Sequence, residues 1–342
     1  MKAVKFDQHG DVSVLQYTDV EVPEIAADEV LVQVKACALN HLDIFVRQGM
    51  PGIKIPLPHI GGSDISGVIA GTGVAVRNVS EGDAVFLSPG IGCGTCEECM
   101  NGFDNQCRHY TLIGYMVDGG YAEYVKVPAR NALLIPKGMS FDEAAAFPLV
   151  FLTAWHMLVT RAGIRPGDTV LVHAAGSGVG SAGIQIAKLF GAEVITTASS
   201  KAKLDKAVEL GADHVIDYVR EDFSAKIKEL TNRRGVDIVF EHTGSSTFEK
   251  SIRSLAPNGR LVTCGATTGY DAHVDIRYIF AKQLTICGSY MGRIGELIDV
   301  VKFFEKGRLK PVIDKNFPLK DAAKAQLYMT ERRQFGKIIL NP

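Results

Sequence analysis

The chain has 342 residues, of which 46% are hydrophobic, and a formal net charge of -1. That length exceeds one ordinary core and leads to an expectation of two domains, while the near-neutral balance, with pI near 6.8, removes the electrostatic reason to expect nucleic acid or an anionic membrane surface as a partner. No apolar run approaches the ~18 residues of a membrane span, and the opening Met1-Lys2-Ala3-Val4-Lys5-Phe6-Asp7 reads as a charged strand instead of a signal peptide, so a cytoplasmic location is expected.

Residues 1 to about 145 read as short strands separated by Gly and Pro: Ala3 to Phe6, Val30 to Ala38, Ile65 to Ala70, Asp83 to Leu87 and Ala122 to Val127. This is the pattern of an antiparallel β domain. Within it, four of the seven cysteines fall inside residues 92–108. Cys93, Cys96, Cys99 and Cys107 are separated by two, two and seven residues, and four thiolates at such spacing can close a tetrahedral shell around one Zn²⁺ with no open position. Gly92, Gly94 and Gly102 permit the reversals of a short chelating loop. The expected role is structural.

From Ala144 a helical pattern runs to Leu158, ended or kinked at Pro148. The stretch Asp168 to Gly191 then carries an apolar, β-branched strand from Thr169 to His173, a turn of small residues, and a helix from Ile184 to Phe190 closed by Gly191. Ala174, Ala175, Gly176, Ser177, Gly178, Val179 and Gly180 let the backbone approach a pyrophosphate and aim helix N-terminal N–H groups at it. Strand and helix continue to alternate, with strands at Glu193 to Thr197, His214 to Ile216, Val236 to Phe240, Arg260 to Cys264 and Leu284 to Gly288. Right-handed βαβ units of this kind build a doubly wound parallel sheet. The tail from Ile294 adds two amphipathic helices and the strand Lys337 to Leu340, expected to return to the N-terminal domain. The predicted division is 1–149 with 292–342, and 150–291.

Four marks in these segments, Ala38-Leu39-Asn40-His41-Leu42-Asp43, Pro58-His59-Ile60-Gly61-Gly62-Ser63-Asp64, the four-cysteine loop and Ala174 to Gly180, resemble the medium-chain dehydrogenase/reductase superfamily over essentially the whole chain. That resemblance implies a GroES-like β domain plus a Rossmann domain, an α/β fold, with hydride transfer in the cleft between them. It also implies a structural zinc at Cys93, Cys96, Cys99 and Cys107, and Thr243 and Gly265 as further dinucleotide contacts. A catalytic zinc of the alcohol dehydrogenase type would draw ligands from the positions of Asn40, Ser63 and about Leu149, with Asp64 replacing a Glu; none of the three is a normal ligand. This pattern is similar to zinc-free quinone oxidoreductases and enone reductases. His41, His59 and Asp64 form the alternative metal set.

The second strand of the nucleotide domain ends Thr196-Thr197-Ala198-Ser199-Ser200-Lys201-Ala202-Lys203, without the acid that holds a ribose 2′-OH. Ser199, Ser200 and Lys203 suit a 2′-phosphate, which favours NADPH over NADH; the plainer alternative is an N-cap Ser followed by a solvated Lys. By resemblance Lys337 is the cation facing the pyrophosphate. The expectation is a reductase of quinones or α,β-unsaturated carbonyl compounds, with Asn40 as donor to the developing oxyanion, Asp43 orienting Lys337 and its loop, and Thr153 and His156 as further candidates. Trp155, Phe45 and Tyr290 are candidate lining residues. The alternatives are an alcohol dehydrogenase with an altered metal site and an NADPH-binding redox sensor without turnover. The resemblance further implies a homodimer or homotetramer through the last Rossmann strand.

Overall fold

A computed structural model describes residues 1–342 and divides the chain into two compact units, Met1–Leu149 with Arg293–Pro342, and Val150–Gly292. The first unit is organised on the strand Glu29–Ala38, whose Val30, Val32 and Val34 point alternately into the core. This strand pairs antiparallel with Asp64–Thr72, with Tyr124–Pro128 and, through Ile339 opposite Ala38 and Leu340 opposite Cys37, with the C-terminal strand Lys337–Asn341. That last pairing brings Lys337 beside Asn40 although nearly 300 residues separate them.

Several strands here lie outside the sequence expectation: Gln16–Asp19, His59–Ile60, Gly90–Ile91, Thr111–Leu112, Ala132–Leu134 and Ile313–Pro318. Two-residue pairs carry no period to read. Ile313–Pro318 is polar and ends in Pro, which suits an edge position, and it pairs parallel with Lys337–Asn341 at the end of its sheet. The expected helix from Ala144 is two helices, Phe141–Ala146 and Pro148–Trp155. A capping box between Ser140 and Glu143 starts the first, and Pro148 takes the opening position of the second, where its missing N–H has no cost.

The second unit holds a six-stranded, wholly parallel sheet. Its order is His214–Asp217, Glu193–Ala198, Thr169–Val172, Val236–Glu241, Leu255–Thr263, Thr285–Gly288. Numbered along the chain this is 3-2-1-4-5-6, so the order reverses between the first and fourth strands, where doubly wound sheets take ligands at the carboxyl ends. The first helix begins at Gly178, earlier than Ile184: Ser177 caps it by accepting from the Gly180 N–H at 2.9 Å, so the glycine-rich segment itself forms the first turn. Small residues are required along that helix. A Cβ on Gly180 would lie 2.3 Å from the Ala174 carbonyl oxygen, and one on Gly183 would lie 3.2 Å from the Phe240 ring.

Candidate active site and metal centre

In the first unit, the helix His41–Gln48 starts at Asn40 with Asp43 in its first turn. Asp43 accepts from the Asn40 N–H at 2.7 Å, the Tyr121 hydroxyl at 2.9 Å and the Gly62 N–H at 3.2 Å. Burial pushes its carboxyl up to about 6, against the opposing pull of those donors. Asp43 therefore fixes the helix start to the Gly62 turn. It is Asp64 that holds Lys337.

Asp64 is fully buried. Its Oδ1 accepts from the Leu149 N–H at 2.8 Å, and its Oδ2 accepts from Asn40 Nδ2 at 3.0 Å and from Lys337 Nζ at 2.8 Å. Lys337 Nζ also donates to Asn40 Oδ1 at 2.6 Å. This geometry bears on two of the expected site residues. Asn40 already donates its amide hydrogens to Asp64 and, at 3.4 Å, to the Ala38 carbonyl, so it offers no spare donor to a substrate oxygen. Lys337, 3% exposed and enclosed by Asn40 and Asp64, is a buried cation of the β unit. The nearby Ser63 hydroxyl is buried and has no hydrogen-bond partner.

The three positions where ligands of a catalytic zinc would fall thus present an amide committed to an ion pair, a hydroxyl and the backbone of a leucine. This donor set does not fit the metal. His41, His59 and Asp64 do not converge either: His59 is buried, with Nε2 3.1 Å from the Gly114 carbonyl and Nδ1 3.6 Å from Asp118.

The four cysteines do converge. The Sγ atoms of Cys93, Cys96, Cys99 and Cys107 all lie within 4.8 Å of one another, near the ~3.8 Å sulfur separations of a tetrahedral zinc with ~2.3 Å bonds. Backbone N–H groups already point at the sulfurs, from Cys96 to Cys93 at 3.3 Å and from His109 to Cys107 at 3.3 Å, as the outer shell of a thiolate site requires. Gly92 is needed for contact, since its Cβ would stand 2.9 Å from Cys99 Sγ, and Gly94 and Gly102 adopt positive φ.

In the second unit, the turn after Thr169–Val172 places Ala174, and not a glycine, in the left-handed region at φ 50°. Ala174 N–H donates to Thr197 Oγ1 at 3.1 Å and Ala175 N–H to the Thr197 carbonyl at 2.9 Å, so the second strand fixes the path of the turn. Gly176 follows the turn and Gly178 and Val179 open the helix, whose first N–H groups have no intrahelical acceptor. At the end of the second strand Ser199 and Ser200 are half-buried; Ser200 occupies the N-cap of Lys201–Glu209 without a side-chain cap bond, and Lys203 lies in that helix's first turn. Lys201 is turned away in an exposed pair with Asp205 at 2.9 Å.

Tyr218, absent from the sequence reading, joins this edge: its N–H donates to the Ala198 carbonyl at 3.2 Å and its ring is partly exposed. The nearest acid at the edge, Asp217, stands opposite Ala198 and is held by the Val219 N–H at 3.1 Å and by Arg220 at 3.5 Å. Thr243 N–H donates to Glu241 at 2.7 Å, and Gly265 packs against the His242 carbonyl, where a Cβ would come within 3.2 Å. Of the remaining candidates, Thr153 is buried with its hydroxyl 3.9 Å from the Met291 sulfur, and His156 is buried in a π-helical segment. Trp155 is a core residue against Phe190, Phe45 is half-buried beside His41, and Tyr290 is exposed.

Two family models match the chain, "Alcohol dehydrogenase GroES-like domain" over residues 26–137 and "Zinc-binding dehydrogenase" over residues 178–306. An NAD-dependent alcohol dehydrogenase of Saccharolobus solfataricus is 31% identical over 100% of both chains. A quinone oxidoreductase-like protein 2 homolog of Nematostella vectensis is 31% identical, covering 93% of this chain and 82% of that protein. Among solved structures, an NAD-dependent alcohol dehydrogenase superimposes with TM-score 0.96 at 46% identity, covering 100% of each chain.

Proposed function

Because the chain belongs to the medium-chain, zinc-type alcohol dehydrogenase-like family and is an NAD(P)-dependent oxidoreductase, we propose that it reduces quinones or α,β-unsaturated carbonyl compounds without a catalytic zinc. The observation that carries this reading is the donor set at the three ligand positions: Asn40 is tied into a buried cluster with Lys337 and Asp64, Ser63 offers a hydroxyl, and Leu149 offers only its backbone. When bound, the dihydronicotinamide supplies a hydride to the β-carbon of a conjugated acceptor, and the displaced electron pair moves onto the acceptor oxygen. Lys337, buried and paired with Asp64 and Asn40, touches no substrate atom; its role is to hold Asn40 and Asp64 in place, and the conjugation of the acceptor supplies the activation that a Lewis acid would otherwise give. Solvent then protonates the enolate. One Zn²⁺ is assigned to Cys93, Cys96, Cys99 and Cys107, where it contributes folding energy and takes no part in the chemistry.

Elemental analysis of the purified protein should give one zinc per chain, and reduction of an enone or quinone panel should survive chelation that leaves the protein folded. Two metals per chain, or turnover of simple alcohols abolished by chelation, would replace this reading with that of an alcohol dehydrogenase. That second reading is favoured by the 46% identical alcohol dehydrogenase structure.

For the cofactor the favoured form is NADPH. The edge formed by Ser199, Ser200, Lys203 and Tyr218 carries hydroxyls and a cation, and the acid opposite Ala198, Asp217, lies beside Arg220. Lys203→Ala should weaken NADPH about ten- to a hundred-fold, the loss of one charge-assisted contact of ~1.5–3 kcal/mol, and leave NADH nearly unchanged. Titration of both dinucleotides decides it; equal losses would mark a packing effect, and no loss would remove the 2′-phosphate assignment.

A further inference from the structure

Beneath the nucleotide turn lies a buried polar chain that joins three strands of the parallel sheet. Glu241 ends the strand Val236–Glu241 and is fully buried. Its Oε1 accepts from the Thr243 N–H at 2.7 Å and the Gly244 N–H at 3.2 Å; its Oε2 accepts from Ser251 Oγ at 2.8 Å; Thr247 Oγ1 lies 3.0 and 2.9 Å from the two oxygens. Ser251 Oγ is also 2.9 Å from His173 Nε2, while His173 Nδ1 is 3.4 Å from Thr197 Oγ1. Thr197 Oγ1 in turn accepts from the Ala174 N–H, at the left-handed residue of the turn. His242 closes a second tie, with Nε2 2.9 Å from the His173 carbonyl.

Donor and acceptor counting gives this chain one direction. Backbone N–H groups hold Oε1, so Oε2 takes the Ser251 proton. Ser251 Oγ must then accept from His173 Nε2–H, which leaves His173 Nδ1 bare to accept from the Thr197 hydroxyl. Thr197 Oγ1 then has its proton directed to His173 and a lone pair on the Ala174 N–H, so the tautomer fixes the orientation of the hydroxyl that anchors the turn. Burial pushes the His173 ring down toward its neutral form, which this pattern needs. Burial acts on Glu241 in the opposite sense, and is outweighed by the His173 ring 3.6 Å away and by the donors Ser251, Thr243 and Gly244, which favour the ionised carboxylate. The chain is satisfied from Ala174 to Gly244 when Glu241 is ionised and His173 is the Nε2–H tautomer.

We propose that Glu241, acting through Ser251, His173 and Thr197, is a positioning residue for the dinucleotide: it sets the tautomer of His173 and thereby holds the Ala174 turn and the Thr243–Gly244 loop in the geometry that receives the phosphates. The proposal rests on the dinucleotide reading of this turn. Nothing in it depends on which dinucleotide binds.

The test uses the full-length, metal-replete protein, with Kd for NADPH and NADH and the ¹⁵N shifts of the His173 ring as readouts. Thr197→Val keeps the shape and removes the hydroxyl, whereas Thr197→Ser keeps the hydroxyl and removes a methyl. The expected result is a Kd raised about ten-fold for both dinucleotides in Thr197→Val and little changed in Thr197→Ser, because a satisfied N–H is worth ~1 kcal/mol or more. A packing role predicts the reverse order, and that result would overturn the proposal. In Glu241→Gln the amide oxygen must stay with the loop N–H groups, so the NH₂ faces Ser251 and His173 should switch to the Nδ1–H tautomer. An unchanged tautomer in a folded Glu241→Gln protein would also overturn it; if that variant does not fold, the Thr197 pair decides alone. Wild-type protein that binds neither dinucleotide, yet shows the Nε2–H tautomer, would instead count against the dinucleotide reading.

Discussion

Asp43 and Asp64 are two carboxylates in one buried cluster, and their different partners give them different roles. Asp64 is bonded directly to an ammonium and is part of a compensated pair; Asp43 is bonded only to neutral donors, with the charges of Lys337 and Asp64 acting on it in opposite senses, so burial dominates and lifts its carboxyl from the ordinary 3.8 to about 6. A raised acid is bound by a proton in the folded protein at a pH where the unfolded chain has lost it. Its contribution to stability is therefore unaffected below about pH 4, falls as pH rises from about 4 to about 6, and is constant above. Relative to Asp43→Asn, the wild-type protein should lose on the order of 3 kcal/mol across that window, measured by urea unfolding at each pH. Parallel curves for the two proteins would show that Asp43 does not titrate there. The same cluster shows why side-chain roles in it were hard to read: Lys337, Asn40, Asp43 and Asp64 are all visible in the sequence as chemistry-bearing residues, but which acid holds the lysine depends on a strand pairing across nearly 300 residues.

Among the elements, the four-cysteine loop is the one whose spacing already carries its geometry, since the ligands lie within fifteen residues and only local turns are needed to close them. Two short pieces shape it, the helix Glu97–Met100 and the turn Asp104–Gln106, neither able to persist alone in water. Cys96→Ser should accordingly lower thermal stability and zinc content together, with specific activity per folded molecule retained; a folded, zinc-depleted variant that is inactive would contradict a purely structural role. Longer elements were legible for a different reason. The buried strand Thr169–Val172 is a short β-branched, mostly apolar run, Val236–Glu241 carries the apolar run Ile238–Phe240, and Glu29–Ala38 alternates, so their patterns declare them. The two-residue strands His59–Ile60 and Gly90–Ile91 have no period, and Ile313–Pro318 takes its conformation from its neighbour. Glu241 carries no motif of its own, since an acid at the end of a strand reads as the start of a loop; its signal is Thr243, Gly244, Thr247 and Ser251 after it, which supply the donors it needs.

For the whole molecule, the two edges of the parallel sheet are unequal. One edge strand, His214–Asp217, is half-buried, with Ile216 in the core; the other, Thr285–Gly288, is mostly exposed along its length. Beside the second edge stand Ile286 at 38%, Ile276 at 67% and Phe280 at 69% exposure, the last two on the helix Ile276–Ala281 that precedes the strand. An exposed, uncharged edge with apolar neighbours is a template for further strand pairing, and natural proteins do not leave one open. A second copy of the same edge, related by a two-fold axis, would extend the sheet and cover both sets of side chains in one isologous contact. Light scattering at micromolar concentration should therefore give about twice the 36.9 kDa chain mass, or four times if dimers pair again. Ile286→Lys places a charge on that edge without touching the core of its own unit, so it should shift the protein toward monomer while the far-ultraviolet spectrum stays that of the folded chain. Wild-type protein that scatters as a monomer would refute the assembly; a charged variant that remains dimeric would move the contact to another face.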